Sequence, residues 1–394
     1  MKQSIGLVVL SYVVFYFPSG LLKSYLSQFL VNSGFSYSLA GWVVASTFAI
    51  KIIVNPIIIF YADRAHSKHV FKVSFSMLAV VCVFVVLFSQ YRILLGVGFC
   101  ILMMSRNFFQ SLLESAASTI RGAEGSYGRV RFAGSLSVAV GTATLAGLSA
   151  LDLAPDLIFI WVLTFSTLSF SVVIILMSKE EVHQVEFAVS SLKPSIPKRS
   201  AFFMFAATAL IIGAQGTYYS IGTPWLERMG LTNSQILLAW TIGFIAEAFV
   251  FRYSNAFASR RYIIIIPIVA MCFVIRALLV WYNPGVTQAV LSFVLQGVTF
   301  SIPHVAFVMS IRRFFAERYS ATAISLYLAV AHGIGIAIFS AASGIVLEKY
   351  AGLAWLLPAV SGVVGCAVWI AFYQTSGVNS SQLIYNPSHE LKLH

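Results

Sequence analysis

The spacing of long apolar runs constrains this chain more than any other feature. Runs of about membrane-crossing length recur at roughly 5–31, 38–62, 70–89, 91–119, 130–150, 157–178, 200–226, 232–256, 262–282, 286–311, 320–346 and 352–374, parted by charged or turn-rich breaks. A helix crosses the hydrocarbon layer in about 20 residues. Inside lipid each backbone N–H and C=O must be satisfied within the protein, which leaves helices or closed barrels. Runs this long and this apolar, without strict alternation, predict helices. With 59% hydrophobic and 10% charged residues in 394, the chain is too apolar for a soluble protein of its length. The expected fold is an all-α membrane protein of about twelve transmembrane helices in two six-helix bundles.

The net charge of +12 does not point to nucleic acid, because the basic residues gather in alternate connections instead of on one face. Lys68, Lys72, Arg121, Arg129, Lys179, Lys198, Arg199, Arg260, Arg261, Arg312, Arg313 and Arg318 fall on one side, against Arg92, Arg228 and Lys349 on the other. The positive-inside rule then places both termini in the cytoplasm of a multi-pass protein of the cytoplasmic (inner) membrane. The first run is too long, and lacks the small-residue cleavage site, to be a signal peptide. Residues 179–199 form the longest polar interruption, so the expected organisation is a bundle over 1–178, a cytoplasmic linker over 179–199, a bundle over 200–374 and a tail over 375–394. A faint internal echo, Trp42 with Lys51 and Asn55 against Trp240 with Glu247, agrees with that division. Breaks are expected at Pro18 and Gly20, Asn55–Pro56, Pro224 and Pro303, where proline frees a backbone carbonyl.

Of thirteen carboxylates only Glu114 and Glu247 lie deep within apolar runs. A carboxylate at membrane depth costs about 2.5–3.5 kcal/mol on insertion scales and is usually kept facing a cavity or a partner, a sign of transport. Glu114 in span four and Arg131 at the head of span five flank a short connection, so they can share one cavity as a bidentate pair for substrate, or else anchor the loop. Glu247, Arg276 and His304 occupy three consecutive spans and are expected to form one charge network able to take up and release a proton. His304 alone would read as a packing residue. Arg106, Lys51, Lys23 and His332 are further polar intrusions. With Arg131 and Arg276, the three basic ones outnumber the two carboxylates and lean toward an acidic substrate, although Lys23 could snorkel to the interface. Gln215, Tyr218, Tyr219, Trp225 and Trp240 offer stacking faces with polar ends, suited to sugars, nucleosides or aromatic acids. Belting at the membrane interface would also explain the two tryptophans.

Cys82, Cys100, Cys272 and Cys366 have no metal-ligand spacing, and His66 and His69 sit in a basic turn. No metal and no cofactor is expected. There is no phosphate-binding loop and no hydrolase motif, which disfavours an ATP-driven pump and an enzyme.

The segments YGRVRFAGS (127–135) and RYSATAISLY (318–327), with Glu247 and Arg276, resemble the oligosaccharide–proton symporter branch of the major facilitator superfamily. From Gly213 to His304 the chain is more similar still to the phenylpropionate permease relatives of that branch, through Tyr218, Tyr219, Trp225, Glu247, Arg276 and His304. The resemblance implies the major facilitator fold and import of a small solute with protons by alternating access, by a monomer in the bilayer. It implies substrate binding by Glu114 and Arg131, coupling by Glu247 and Arg276, and gating by Asp63 and Arg64. Two departures stand out: Gln296 and Thr299 replace the histidine and carboxylate of helix ten, and His332 replaces a helix-eleven lysine. An exporter working by proton antiport is the alternative; a membrane enzyme or sensor is less favoured.

Overall fold

The computed structural model describes residues 5–62, 81, 91–118, 126–151, 153–177, 197–253, 262–282, 284–315, 323–324 and 326–376. The helices are α1 (Ile5–Ser24), α2 (Leu26–Asn32), α3 (Tyr37–Ala62), α4 (Arg92–Ser118), α5 (Ser126–Ser149), α6 (Pro155–Met177), α7 (Lys198–Gly213), α8 (Gln215–Arg228), α9 (Asn233–Arg252), α10 (Tyr262–Trp281), α11 (Val286–Val294), α12 (Ile302–Phe314), α13 (Ile336–Tyr350) and α14 (Leu356–Thr375). Two stretches of wider π-helix, Gly297–Ser301 and Leu328–Gly335, join α11 to α12 and lead into α13. Among the described residues six helical stretches are long and apolar enough to cross a membrane. Apart from Val81, the predicted span over 70–89 lies outside the described residues, as do Asp63, Arg64 and most of the predicted linker. Helix α7 begins at Lys198, inside the end of that linker.

Threonines within the spans donate back to the preceding turn, as Thr142 does to Val138 O at 3.1 Å and Thr167 to Leu163 O at 2.7 Å. Such bonds let a hydroxyl sit in a helix surrounded by apolar groups. Outward faces carry Phe202, Ile264, Leu278 and Phe165, all well exposed, as a lipid-facing surface requires.

The helix breaks do not fall where proline alone predicts them. Helix α1 runs through Pro18 and α8 through Pro224. The first span breaks at Tyr25 and the seventh at Ala214, neither next to a proline. At Pro303 the expectation is met: the π-helical turn lies directly ahead of it. Proline lacks the N–H that would close the ladder and its ring crowds the carbonyl four residues back, and a wider turn relieves both.

The internal echo appears in a turn more clearly than in the tryptophans. Trp42 is 53% exposed whereas Trp240 is fully buried, so those two are not structural counterparts. After α2, Gly34 N–H bonds to Val31 O and Phe35 N–H to Leu30 O; after α8, Gly230 N–H bonds to Glu227 O and Leu231 N–H to Leu226 O. Both glycines have positive φ, 87° and 92°. Each is a Schellman stop followed by an apolar residue, built by SGFS in one case and MGLT in the other.

The end of the molecule holding these two turns, opposite Ile5, is closed by contacts between the two halves of the chain. Thr223 Oγ1 donates to Ser24 O, Ser27 Oγ to Ser220 O, and Gln28 Nε2 to the Glu227 carboxylate. Beside them the Ser38 N–H donates to Glu348 Oε2 at 2.8 Å. Helices α3 and α13 touch backbone to backbone: a Cβ on Gly41 would stand 2.8 Å from Ser340 O and 3.1 Å from the Gly344 Cα. Small residues at a crossing permit this approach. Gly41→Leu is therefore expected to disfavour this closed end by about 1–3 kcal/mol, the usual cost of overpacking. A cysteine placed at Ser27 should then react faster with a membrane-impermeant thiol reagent.

Candidate functional site

Arg276, fully buried on α10, gathers three side-chain oxygens from neighbouring spans. Its guanidinium donates to Gln215 Oε1 at 2.8 Å, Thr299 Oγ1 at 3.0 Å and Gln296 Oε1 at 2.9 Å. Its flat face lies 3.5 Å from the centroid of the Tyr218 ring. The acceptors come from the two helix breaks. Gln215 is the first residue after the Ala214 interruption, Gln296 immediately precedes the π-turn and Thr299 lies within it. Broken helices therefore put polar side chains at mid-span, where transporters commonly build their sites.

Glu247 joins this hub without touching the arginine. Gln296 uses its carbonyl for Arg276 and its amide nitrogen, at 2.9 Å, for Glu247 Oε2. Glutamate and arginine are thus linked through a neutral amide. The expected single network with His304 divides into two. His304 Nδ1 lies 2.7 Å from Tyr327 Oη. Its ring stands 5.6 Å from His332 and 5.7 Å from Phe300. The two imidazoles form their own aromatic cluster between spans ten and eleven, one or two turns beyond Gln296 and Thr299.

The opposing wall is basic. Arg106 on α4 donates to Phe15 O at 2.7 Å and Ser19 Oγ at 2.8 Å, fastening α4 to α1. Lys51, only 8% exposed, reaches Gln110 Oε1 at 3.4 Å and lies 5.2 Å from the Phe48 centroid. Gln110 in turn donates to Tyr16 Oη at 3.3 Å. Lys23 does not snorkel outward; its ammonium lies 5.8 Å from the Tyr219 centroid and 5.6 Å from that of Phe244, both in the other half of the chain. Lys51 is near enough to Lys23 and to Arg106 to be repelled by each.

Between the basic wall and the Arg276 hub runs an aromatic strip. Phe48 stacks on Tyr219 (5.9 Å, 11°), Tyr219 on Trp240 (6.1 Å, 26°), and Trp240 packs on Phe293 at 4.1 Å. Trp240 Nε1 donates to Thr223 and Trp225 Nε1 to Val280 O. Both tryptophans are interior residues, not interfacial ones.

The structure thus brings Gln215, Tyr218, Tyr219, Glu247 and Arg276 together, sets His304 and His332 apart, and turns Gln215 and the face of Tyr218 toward Arg276. The helices bearing Glu114 and Arg131 are described, but the placement of those two side chains lies outside the described residues. Sequence reasoning missed Gln110, Tyr16 and Phe48. Gln110 was findable, since it follows Arg106 by four residues and so shares its helix face. Among the described residues no group of His, Cys, Asp and Glu could hold a metal ion. Cys100, Cys272 and Cys366 are free thiols.

Comparison with known proteins matches residues 7–357 to the model of the MFS_1 like family. The chain belongs to that family. It is a multi-pass membrane transporter of the major facilitator type and not an enzyme. A relative in Escherichia coli (strain K12), the probable 3-phenylpropionic acid transporter, is 28% identical over 174 residues, which is 41% of this chain and 43% of that protein. The match therefore spans less than half the relative's length. Among solved structures the nucleoside transporter NupG superposes with a TM-score of 0.71 at 17% identity, covering 96% of this chain and 100% of that one. The POT family transporter PepTSo does so with 0.74 at 9% identity, covering 95% and 98%. At these identities the likeness is one of fold.

Proposed function

We propose that this transporter imports a small organic acid, preferably one with an aromatic ring, together with protons, by alternating access as a monomer in the cytoplasmic membrane. The observation that carries the reading is the charge balance of the interior. Among residues with described side chains, the buried charges are Lys51, Arg106 and Arg276 against Glu247 alone, Lys23 borders the same interior rings, and an aromatic strip lies between them. A sugar or nucleoside needs no such excess of positive charge; a carboxylate does. The E. coli relative named for 3-phenylpropionic acid fits the same chemistry.

Proton coupling is assigned to Glu247. Its partner is the Gln296 amide, so protonation breaks no contact ion pair, and Arg276 keeps all three oxygen acceptors whether or not Glu247 is charged. The basic connections put the termini on the cytoplasmic side, which makes the closed end the outer one.

Purified protein in liposomes tests the reading. With an acidic exterior, labelled 3-phenylpropionate should accumulate and a protonophore should collapse the gradient, while lactose and uridine are not concentrated. Accumulation of the acid only when the gradient is reversed would establish export instead.

A further inference from the structure

We infer that the cargo's carboxylate is held by Lys51 and Lys23 beside the Phe48–Tyr219 ring pair, so that the primary anion site lies on spans one and two. This rests on the reading of the cargo as an organic acid, and it names the residues that recognise it.

Four observations converge. First, Lys51 is nine-tenths buried, its hydrogen bond to Gln110 is long at 3.4 Å, and among the described residues no carboxylate lies within ion-pairing distance of it. A buried ammonium held by a single long hydrogen bond has donors to offer a ligand. Second, among the described side chains the two interior arginines are already engaged. Arg276 gives its NH1 and NH2 groups to three oxygens, and Arg106 binds a backbone carbonyl and a hydroxyl. Third, the two lysines border the same rings: Lys51 stands over Phe48, and Lys23 over Tyr219, which is stacked on Phe48. Fourth, Ser19, Lys23, Phe48 and Gln110 keep part of their surface exposed, although Lys23 and Phe48 reach across to the other half of the chain. That combination marks the wall of an internal cleft, not a packed core.

A carboxylate between the two ammonium groups would relieve their mutual repulsion, and an attached ring would lie along Phe48 and Tyr219. Phe48 belongs to the first half and Tyr219 to the second. The ligand therefore touches both moving parts, and its charge is recognised by one of them.

The test compares an acid with its neutral counterpart. Binding of 3-phenylpropionate and of 3-phenylpropan-1-ol to purified protein is followed by tryptophan fluorescence, for wild type, Lys51→Gln and Lys23→Gln. Loss of a charge-assisted contact should weaken the acid about 10- to 100-fold in Lys51→Gln, with a smaller loss in Lys23→Gln. The alcohol should bind wild type weakly and be unchanged by either substitution. The alcohol serves as the folding control, since a collapsed site would lose both ligands. Acid affinity that survives both substitutions, or that falls in parallel with the alcohol's, overturns the assignment. Failure of the wild type to transport the acid at all would overturn the cargo reading instead, which the uptake assay detects separately.

Discussion

Glu247→Gln is expected to abolish proton-driven accumulation while leaving counterflow exchange of the same solute intact. The substitution is nearly isosteric, and the new amide oxygen can still accept from Gln296 Nε2, which now meets the carboxylate at 2.9 Å. What is lost is the charge and the group that takes up a proton. A protein fixed in the neutral form can still exchange cargo across the membrane but has no proton movement to drive net uptake. Liposome assays of uphill uptake and of counterflow measure the two activities separately. Uphill uptake surviving in the variant would remove Glu247 from coupling and direct attention to the His304–Tyr327–His332 cluster.

Arg276→Met should have the largest effect on stability of any single change in the second half of the chain. Methionine fills a similar volume, yet it leaves Gln215, Gln296 and Thr299 without their shared donor and Glu247 without the cation at the centre of its hub. Breaking a buried charged network from one side typically costs about 3–5 kcal/mol. A drop in the thermal unfolding midpoint of the detergent-solubilised protein, together with loss of all transport modes, is the expected result. Arg276→Lys should recover little. A single ammonium cannot reproduce a planar fork that reaches three acceptors and lies flat on Tyr218, as its 3.5 Å approach requires.

Much of the fold was readable from residue order. The run at 232–256 becomes the helix Asn233–Arg252 and that at 262–282 becomes Tyr262–Trp281, because a membrane helix needs little beyond length and apolarity. The breaks were less readable. Tyr25 and Ala214 carry no local signal, and a helix interrupted in a bundle is stabilised by neighbours that sequence does not display. The site was half readable, since Glu247 and Arg276 are conspicuous wherever they fall in an apolar run. The link between them was not, because the rotation of each helix about its axis decides which side chains meet. Gln296 and Thr299 looked like missing functional groups when set against the resembling family; in the structure the side-chain oxygens of both accept hydrogen bonds from one guanidinium. The direction taken by Lys23 was hidden for the same reason, as its partners Tyr219 and Phe244 lie some 200 residues away in the chain.

The closed end has a consequence for the conditions under which the transporter can work. Its seam is stitched by hydroxyls on backbone carbonyls and by an amide and a peptide N–H on single carboxylates, with no cation facing an anion in those contacts. Mobile ions weaken attraction between opposite charges at a surface, and among the described residues these contacts offer no such attraction to weaken. The frequency with which it parts should therefore be nearly the same in dilute and in saline surroundings.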